Sequence, residues 1–258
     1  MSKRLILQLL IDENGIYLSR GFKLQRFCGI DEVNKLLKLD VMANACDELL
    51  VLYVGDAFNQ EYIARILSAE YLGSLFMPIS CGGKISTYEN FNALLRLGAD
   101  KVVVSSSSLQ NPENLVRLVD DFGSQAVIYP LQIKNYAGDL NSRCLFRSRG
   151  KYQTDWTLAE ALEMLDKITV GELIVYDIER DGSGVGYNMS MVDDIAGQTR
   201  SQLVASGGEG KSADIANILS SNVSGACISN LFSFMGGGLL RARESAISHG
   251  VDIVDWNN

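Results

Sequence analysis

The chain has 258 residues, 47% of them hydrophobic, with 23 basic and 31 acidic side chains and a net charge of −8 at pH 7. A length of about 250 residues suits a single closed α/β barrel and does not force two domains. The negative average field disfavours a polyanion such as DNA, so no nucleic-acid partner is expected, although a local cationic pocket for one phosphate stays compatible with it.

Eight short β-branched or apolar runs punctuate the chain: Arg4–Ile11, Glu48–Val54, Phe76–Ser80, Lys101–Val104, Gln125–Ile133, Glu172–Asp177, Gln202–Ala205 and Gly225–Ser229. Between them lie stretches with apolar residues at helical spacing, such as Ile63, Ile66 and Leu67, or Leu158, Ala161, Leu162 and Leu165. Each connection is long enough for a crossover. The alternation describes a single-domain (β/α)8 barrel over 1–258 better than an open doubly wound sheet. Only three prolines occur, and no Ser/Gly/Pro linker divides the chain. The segment Tyr136–Trp156 is an unusually long insert after the fifth strand; a hairpin over the barrel rim is expected there, and its Arg143, Arg147 and Arg149 either contact a phosphate or are plain solvated charges.

Five cysteines, Cys28, Cys46, Cys81, Cys144 and Cys227, are scattered without a CxxC pair. That argues against a zinc cluster or a disulfide framework and for a reducing cytoplasm. No run approaches the roughly 18 apolar residues of a membrane span, and the start MSKRLILQLLIDENG has an acidic residue and a turn where a signal peptide needs its apolar core. Neither membrane insertion nor export is expected. The single histidine, His249, rules out a multi-histidine metal site and disfavours a Ser-His-Asp mechanism; a surface or capping position on the last helix suits it. No cofactor or metal is expected.

The chain echoes itself at half length. SCGGKIS (Ser80–Ser86) follows the third run and SGGEGKS (Ser206–Ser212) the seventh; VVVSSSS (Val102–Ser108) ends the fourth and CISNLF (Cys227–Phe232) the eighth. Glycines let backbone N–H groups approach a ligand, and small hydroxyl residues ahead of a helix complete an anion cradle. Two matched cradles on one barrel face point to a substrate with phosphate at both ends.

On the pieces KRLI (Lys3–Ile6), DEL (Asp47–Leu49), CGGKI (Cys81–Ile85), GADKV (Gly98–Val102), FGSQAV (Phe122–Val127), IERDGSGVGY (Ile178–Tyr187) and ASGGEGK (Ala205–Lys211), the sequence resembles the cyclase subunit of imidazole glycerol phosphate synthase, HisF, nearly end to end. The resemblance implies a barrel of two similar halves. It implies a glutaminase subunit docked at the N-terminal barrel face, ammonia passed up the barrel, and its use at the C-terminal face on a bis-phosphorylated ribonucleotide. It also implies phosphate contacts at Gly82, Gly83, Lys84, Ser105, Ser106, Asp181, Gly182, Gly207, Gly208, Ser229 and Asn230. Lys84 replaces a family glycine and is equally readable as a solvated loop residue.

The family's cyclisation needs two aspartates as general acid and base. Leu10 stands at the first of these positions and Gln132 at the second. A leucine transfers no proton, and an amide is useless as an acid or base near neutral pH. At a typical 10²–10⁴-fold for each proton-transferring group, about several kcal/mol of transition-state stabilisation are missing. Asp12 and Asp177 are the possible substitutes, but Asp-Glu-Asn-Gly at 12–15 is turn chemistry, and the carboxylates around Asp181 suit shaping of the RDG loop.

The family's ammonia gate, by contrast, maps without a gap: Arg4, Glu48, Lys101 and Glu172, each opening an apolar strand. The same charges also suit a barrel floor closed for stability alone. The favoured expectation is therefore a divergent HisF relative that docks a glutaminase and conducts ammonia. Relatives of this type are associated with amidination of a surface-polysaccharide sugar by a separate amidotransferase. The alternatives are a genuine cyclase of histidine biosynthesis, and a non-catalytic regulatory barrel that binds a phosphorylated metabolite.

Overall fold

The computed structural model describes residues 2–29, 45–68, 72, 75–229 and 237–255. Each apolar run becomes a strand. β1 (Arg4–Asp12) opens the chain, followed by a hairpin of β2 (Gly15–Arg20) and β3 (Lys23–Cys28), then β4 (Glu48–Tyr53), β5 (Ile79–Gly82), β6 (Lys101–Val103) and β7 (Val127–Ile133). After a second hairpin, β8 (Leu145–Arg147) and β9 (Tyr152–Gln153), come β10 (Glu172–Asp177), β11 (Gln202–Ser206) and β12 (Gly225–Ile228). The parallel order β10-β11-β12-β1-β4-β5-β6-β7 closes through β10 against β7, giving an eight-stranded (β/α)8 barrel.

The helices follow from spacing and caps. α1 (Gln60–Ile66), α2 (Tyr88–Arg96), α3 (Pro112–Phe122), α4 (Leu158–Ile168), α5 (Met189–Ala196), α6 (Ser212–Leu219) and α7 (Gly238–Ser248) are the described α-helices. In α4, Leu158, Ala161, Leu162, Leu165 and Ile168 are buried on one stripe, and Thr157 with Glu160 forms a reciprocal capping box at its start. His249 ends α7, its Nδ1 2.7 Å from the Ser245 carbonyl.

Two apolar clusters result. The larger lies between the barrel wall and the helices. The smaller fills the barrel itself: Ile6, Leu50, Val103, Ile128, Ile174, Tyr176, Val204 and Cys227. All five cysteines are buried and free of disulfides. Burial pushes the Cys46 and Cys81 thiols up to about 12 and raises those of Cys144 and Cys227.

Two features depart from the sequence reading. The third barrel strand is Ile79–Gly82, later than expected, because Pro78 has no N–H for a ladder and Phe76 stands wholly in solvent. The hairpin β2–β3 was not foreseen. Its turn puts both Gly21 (φ 57°) and Phe22 (φ 61°) in the left-handed region, as a type I′ loop requires, though phenylalanine is a poor residue there. Tertiary contacts hold it: the Phe22 N–H donates to the Asp181 carboxylate at 2.9 Å, and its ring meets Tyr176 edge-on at 5.8 Å.

Candidate functional site

The N-terminal end of the barrel is built from inward-facing first residues of strands. The Arg4 guanidinium of β1 donates to Glu48 of β4 and to Glu172 of β10, each at 2.7 Å. The Lys101 ammonium of β6 lies 3.1 Å from Glu48 and 2.9 Å from Glu172. Four ion pairs thus close a ring across the floor, and the expected residues all meet. Both carboxylates are nearly sealed from water, at 4% and 6% side-chain exposure, while Arg4 and Lys101 keep 19% and 21%. Burial alone would lower the affinity of Arg4 for its proton, but the two carboxylates reverse this and raise its pKa. Ser80 donates its hydroxyl to Glu48, and Ser224 accepts from Arg4 at 3.1 Å, so the ring is tied to β5 and to the residue just before β12.

Four residues up the same strands, about 13 Å at strand rise, Tyr176 donates its hydroxyl to Gln8 Oε1 at 2.9 Å. This buried pair bridges the barrel interior and forms the bottom of a cavity of about 470 Å³ at the C-terminal mouth. Leu10, Leu52, Phe22 and Pro130 give the cavity apolar walls, Lys84, Arg149 and Lys151 give it cations, and Asp181 is its one carboxylate among the described lining residues. Asp181 accepts from the Ser19 hydroxyl and the Phe22 amide, which pins hairpin β2–β3 over the mouth. Burial holds its carboxyl above the ordinary value in spite of those bonds.

Leu10 and Gln132, expected at the acid and base positions, make other contacts. Leu10 is a buried wall of the cavity. Gln132 accepts the Gly150 N–H at 3.1 Å, and Ser106 Oγ accepts that of Ser148 at 3.3 Å; together they hold a turn in which Ser148, Arg149 and Gly150 all have positive φ. The insert hairpin β8–β9 extends the sheet antiparallel to β7, with Gln132 opposite Phe146. Arg149 is thereby turned to the cavity, Arg147 packs over the Tyr152 ring, and Arg143 stays exposed. The bond from Gly150 to Gln132 had no signal in the sequence, because it joins residues brought together only by the hairpin.

Both alternative carboxylates accept hydrogen bonds within their own loops. Asp12 accepts the Asn14 N–H at 2.7 Å and the Tyr17 hydroxyl at 2.9 Å, which closes the β1–β2 turn. Asp177 accepts the amides of Glu179 and Arg180 and faces the Asn188 amide and the Arg180 guanidinium, shaping the loop that carries Asp181 and Gly182.

The two glycine cradles differ. In the first, Gly82 ends β5 and Gly83 passes so close to β4 that any side chain would strike the Tyr53 carbonyl. Lys84 follows, exposed, with its ammonium on the Asp56 carbonyl; Ser105 and Ser107 bond each other at 2.8 Å beside it. In the second, Gly207 and Gly208 lead to Glu209, a carboxylate only 7% exposed that accepts the Ser229 N–H at 3.0 Å. The Gly210 and Lys211 amides both donate to Asp214, again at 3.0 Å. Asn230 lies outside the described residues.

Among the described residues no three His, Cys, Asp or Glu side chains gather as a metal site, and no helix is long and apolar enough to cross a membrane. The profile of the family described as "Histidine biosynthesis protein" matches residues 31–236. A protein of Parasynechococcus marenigrum that bears the provisional name imidazole glycerol phosphate synthase subunit hisF2 is 27% identical over 99% of this chain and 95% of its own length. A provisionally named hisF2 of Pseudomonas aeruginosa is 29% identical over 91% and 92%. The imidazole glycerol phosphate synthase subunit HisF of Lactococcus lactis is 28% identical over 81% of each chain.

Proposed function

The chain belongs to the histidine biosynthesis protein family as a divergent HisF-type barrel, and from that premise we propose that it docks a glutaminase at its N-terminal face and conducts ammonia to the mouth without performing the family's cyclisation. One contrast carries the reading: the four-charge floor is complete, while Leu10 and Gln132 stand where the proton-transferring pair would be.

The floor has the chemistry of a gate. Two positive and two negative groups cancel, so the ring offers a small neutral molecule no net charge to overcome. With all four contacts made it is shut, and passage requires Lys101 or Arg4, the two more exposed members, to swing away. Between it and the Gln8–Tyr176 bridge the barrel is packed with apolar side chains, among them Ile6, Ile128 and Val204, so a small neutral molecule moving up would meet no charge there. At the mouth, Lys84, Arg149 and Lys151 suit an anionic ligand, whose arrival would tighten the two hairpins and signal the glutaminase. Ammonia would then leave for a separate amidotransferase that amidinates a surface-polysaccharide sugar, with all the partners in the cytoplasm.

Two measurements test this. Reconstituted with the glutaminase of its own genome, the wild-type barrel stimulates glutamine hydrolysis, and Lys101→Ala uncouples hydrolysis from ammonia delivery. Absence of both binding and stimulation would leave the purely regulatory barrel. The chain should also fail to restore growth without histidine to a cyclase-deficient strain; restored growth means that it turns over the cyclase substrate.

A further inference from the structure

The halves of the barrel place opposite charges at one equivalent position. Aligning the glycine pairs Gly82-Gly83 and Gly207-Gly208 sets Lys84 against Glu209. The first cradle thus carries a cation, held on the Asp56 carbonyl, that shares the lining of the cavity with Arg149 and Lys151. The second carries an anion folded inward: Glu209 is 7% exposed, and its Oε1 accepts the Ser229 N–H just after β12.

The loop geometry leaves Glu209 little choice. Gly208 has φ 115° and passes against the Gly186 carbonyl, where a side chain would collide, and the Gly186 N–H returns a bond to the Gly208 carbonyl at 2.7 Å. The carboxylate charge reaches the barrel wall, since Glu209 is among the groups that, after burial, push the Tyr187 hydroxyl and the Cys227 thiol upward. Asp214 takes the next two amides, of Gly210 and Lys211. Glu209 therefore occupies the Ser229 N–H, one of the donors expected to hold a ligand phosphate, and a second anion in that space would meet like charge at short range.

We propose that Glu209 is the built-in anion of the second cradle, so that the mouth accepts a phosphomonoester with a single anionic end, seated against Lys84 in the first cradle. This deepens the anionic-ligand part of the proposed function and rests on it. A ligand with two phosphates would have to expel Glu209.

Calorimetric titration of the full chain with ribulose monophosphate and ribulose bisphosphate decides the matter. It is done without a glutaminase, so its failure leaves ammonia delivery standing, and a failed pairing leaves the ligand ratio measurable. The wild type should bind both probes within about threefold of each other, and Lys84→Ala should weaken both by about tenfold. Glu209→Ala should leave the monophosphate unchanged and strengthen the bisphosphate about tenfold, with Glu209→Gln moving the ratio the same way by less. If the Ala variant fails to fold, the Gln variant decides alone. A wild type that prefers the bisphosphate by about tenfold, a ratio indifferent to both Glu209 variants, or a wild type that binds neither probe overturns the proposal.

Discussion

The two ends of this barrel use charge in opposite ways. At the floor, charged side chains face each other across the axis and none is left over: Arg4 and Lys101 each touch both Glu48 and Glu172. At the mouth, the polar groups bind backbone: Gln132 holds Gly150, Asp181 holds Phe22, and Glu209 holds Ser229. A ring of side chains can open and close by rotamer changes, whereas side chains committed to loop amides set a shape. In the proposed reading the floor is the part that switches and the mouth the part that holds its hairpins in place.

The largest effect is expected at the floor. Glu48→Ala strips Arg4, Lys101 and Ser80 of an acceptor at once and should cost about 3–5 kcal/mol in urea unfolding, the scale for breaking a buried ion pair. A loss below about 1 kcal/mol would mean the ring is as weakly coupled as a surface network. Midway up, Tyr176→Phe leaves Gln8 Oε1 without its donor and should cost about 1–3 kcal/mol by the same measurement.

At the mouth, Gln132→Ala should cost about 1 kcal/mol and speed amide exchange at Gly150, while exchange at the floor is unmoved. Equal acceleration at both ends would erase the contrast. A pH-dependent effect follows from Asp181. Its folded carboxyl titrates above the ordinary 3.8, so its contribution to stability is full below that pH and is lost as pH rises through the raised folded value. Asp181→Asn cannot ionise, and it should gain on the wild type as pH climbs from 3.8 toward neutrality in a series of thermal melts. A gap independent of pH contradicts this. The smallest effect is set by the exposed pair of Lys167 and Glu163 on α4, at 66% and 68% exposure, where Glu163→Ala should change stability by less than about 0.5 kcal/mol.

What the sequence made legible follows the same division. The barrel strands could be read because they are buried on both faces, so that Leu49–Tyr53 or Leu173–Tyr176 appear as unbroken apolar runs, and a charge opening such a run has to be compensated. The four floor residues are named by the resemblance to HisF, and their place at the start of such runs agrees with it. Hairpin β2–β3 could not, because Lys23–Phe27 are mostly exposed or half-exposed and the run mixes polar with apolar residues. Its turn also puts a phenylalanine where only distant partners, Asp181 and Tyr176, make the conformation tolerable. The anchoring of Gly150 by Gln132 and the inward turn of Glu209 were hidden for a similar reason: each joins a side chain to a backbone amide whose position depends on the finished fold.

The concealed thiols have a practical consequence. With every native cysteine enclosed and four of them more reluctant than usual to ionise, the protein offers alkylating reagents almost no nucleophile. A single cysteine introduced at exposed Tyr152 would therefore take a fluorescent maleimide cleanly, without a cysteine-free background, and would report movement of the insert hairpin as ligand or glutaminase arrives.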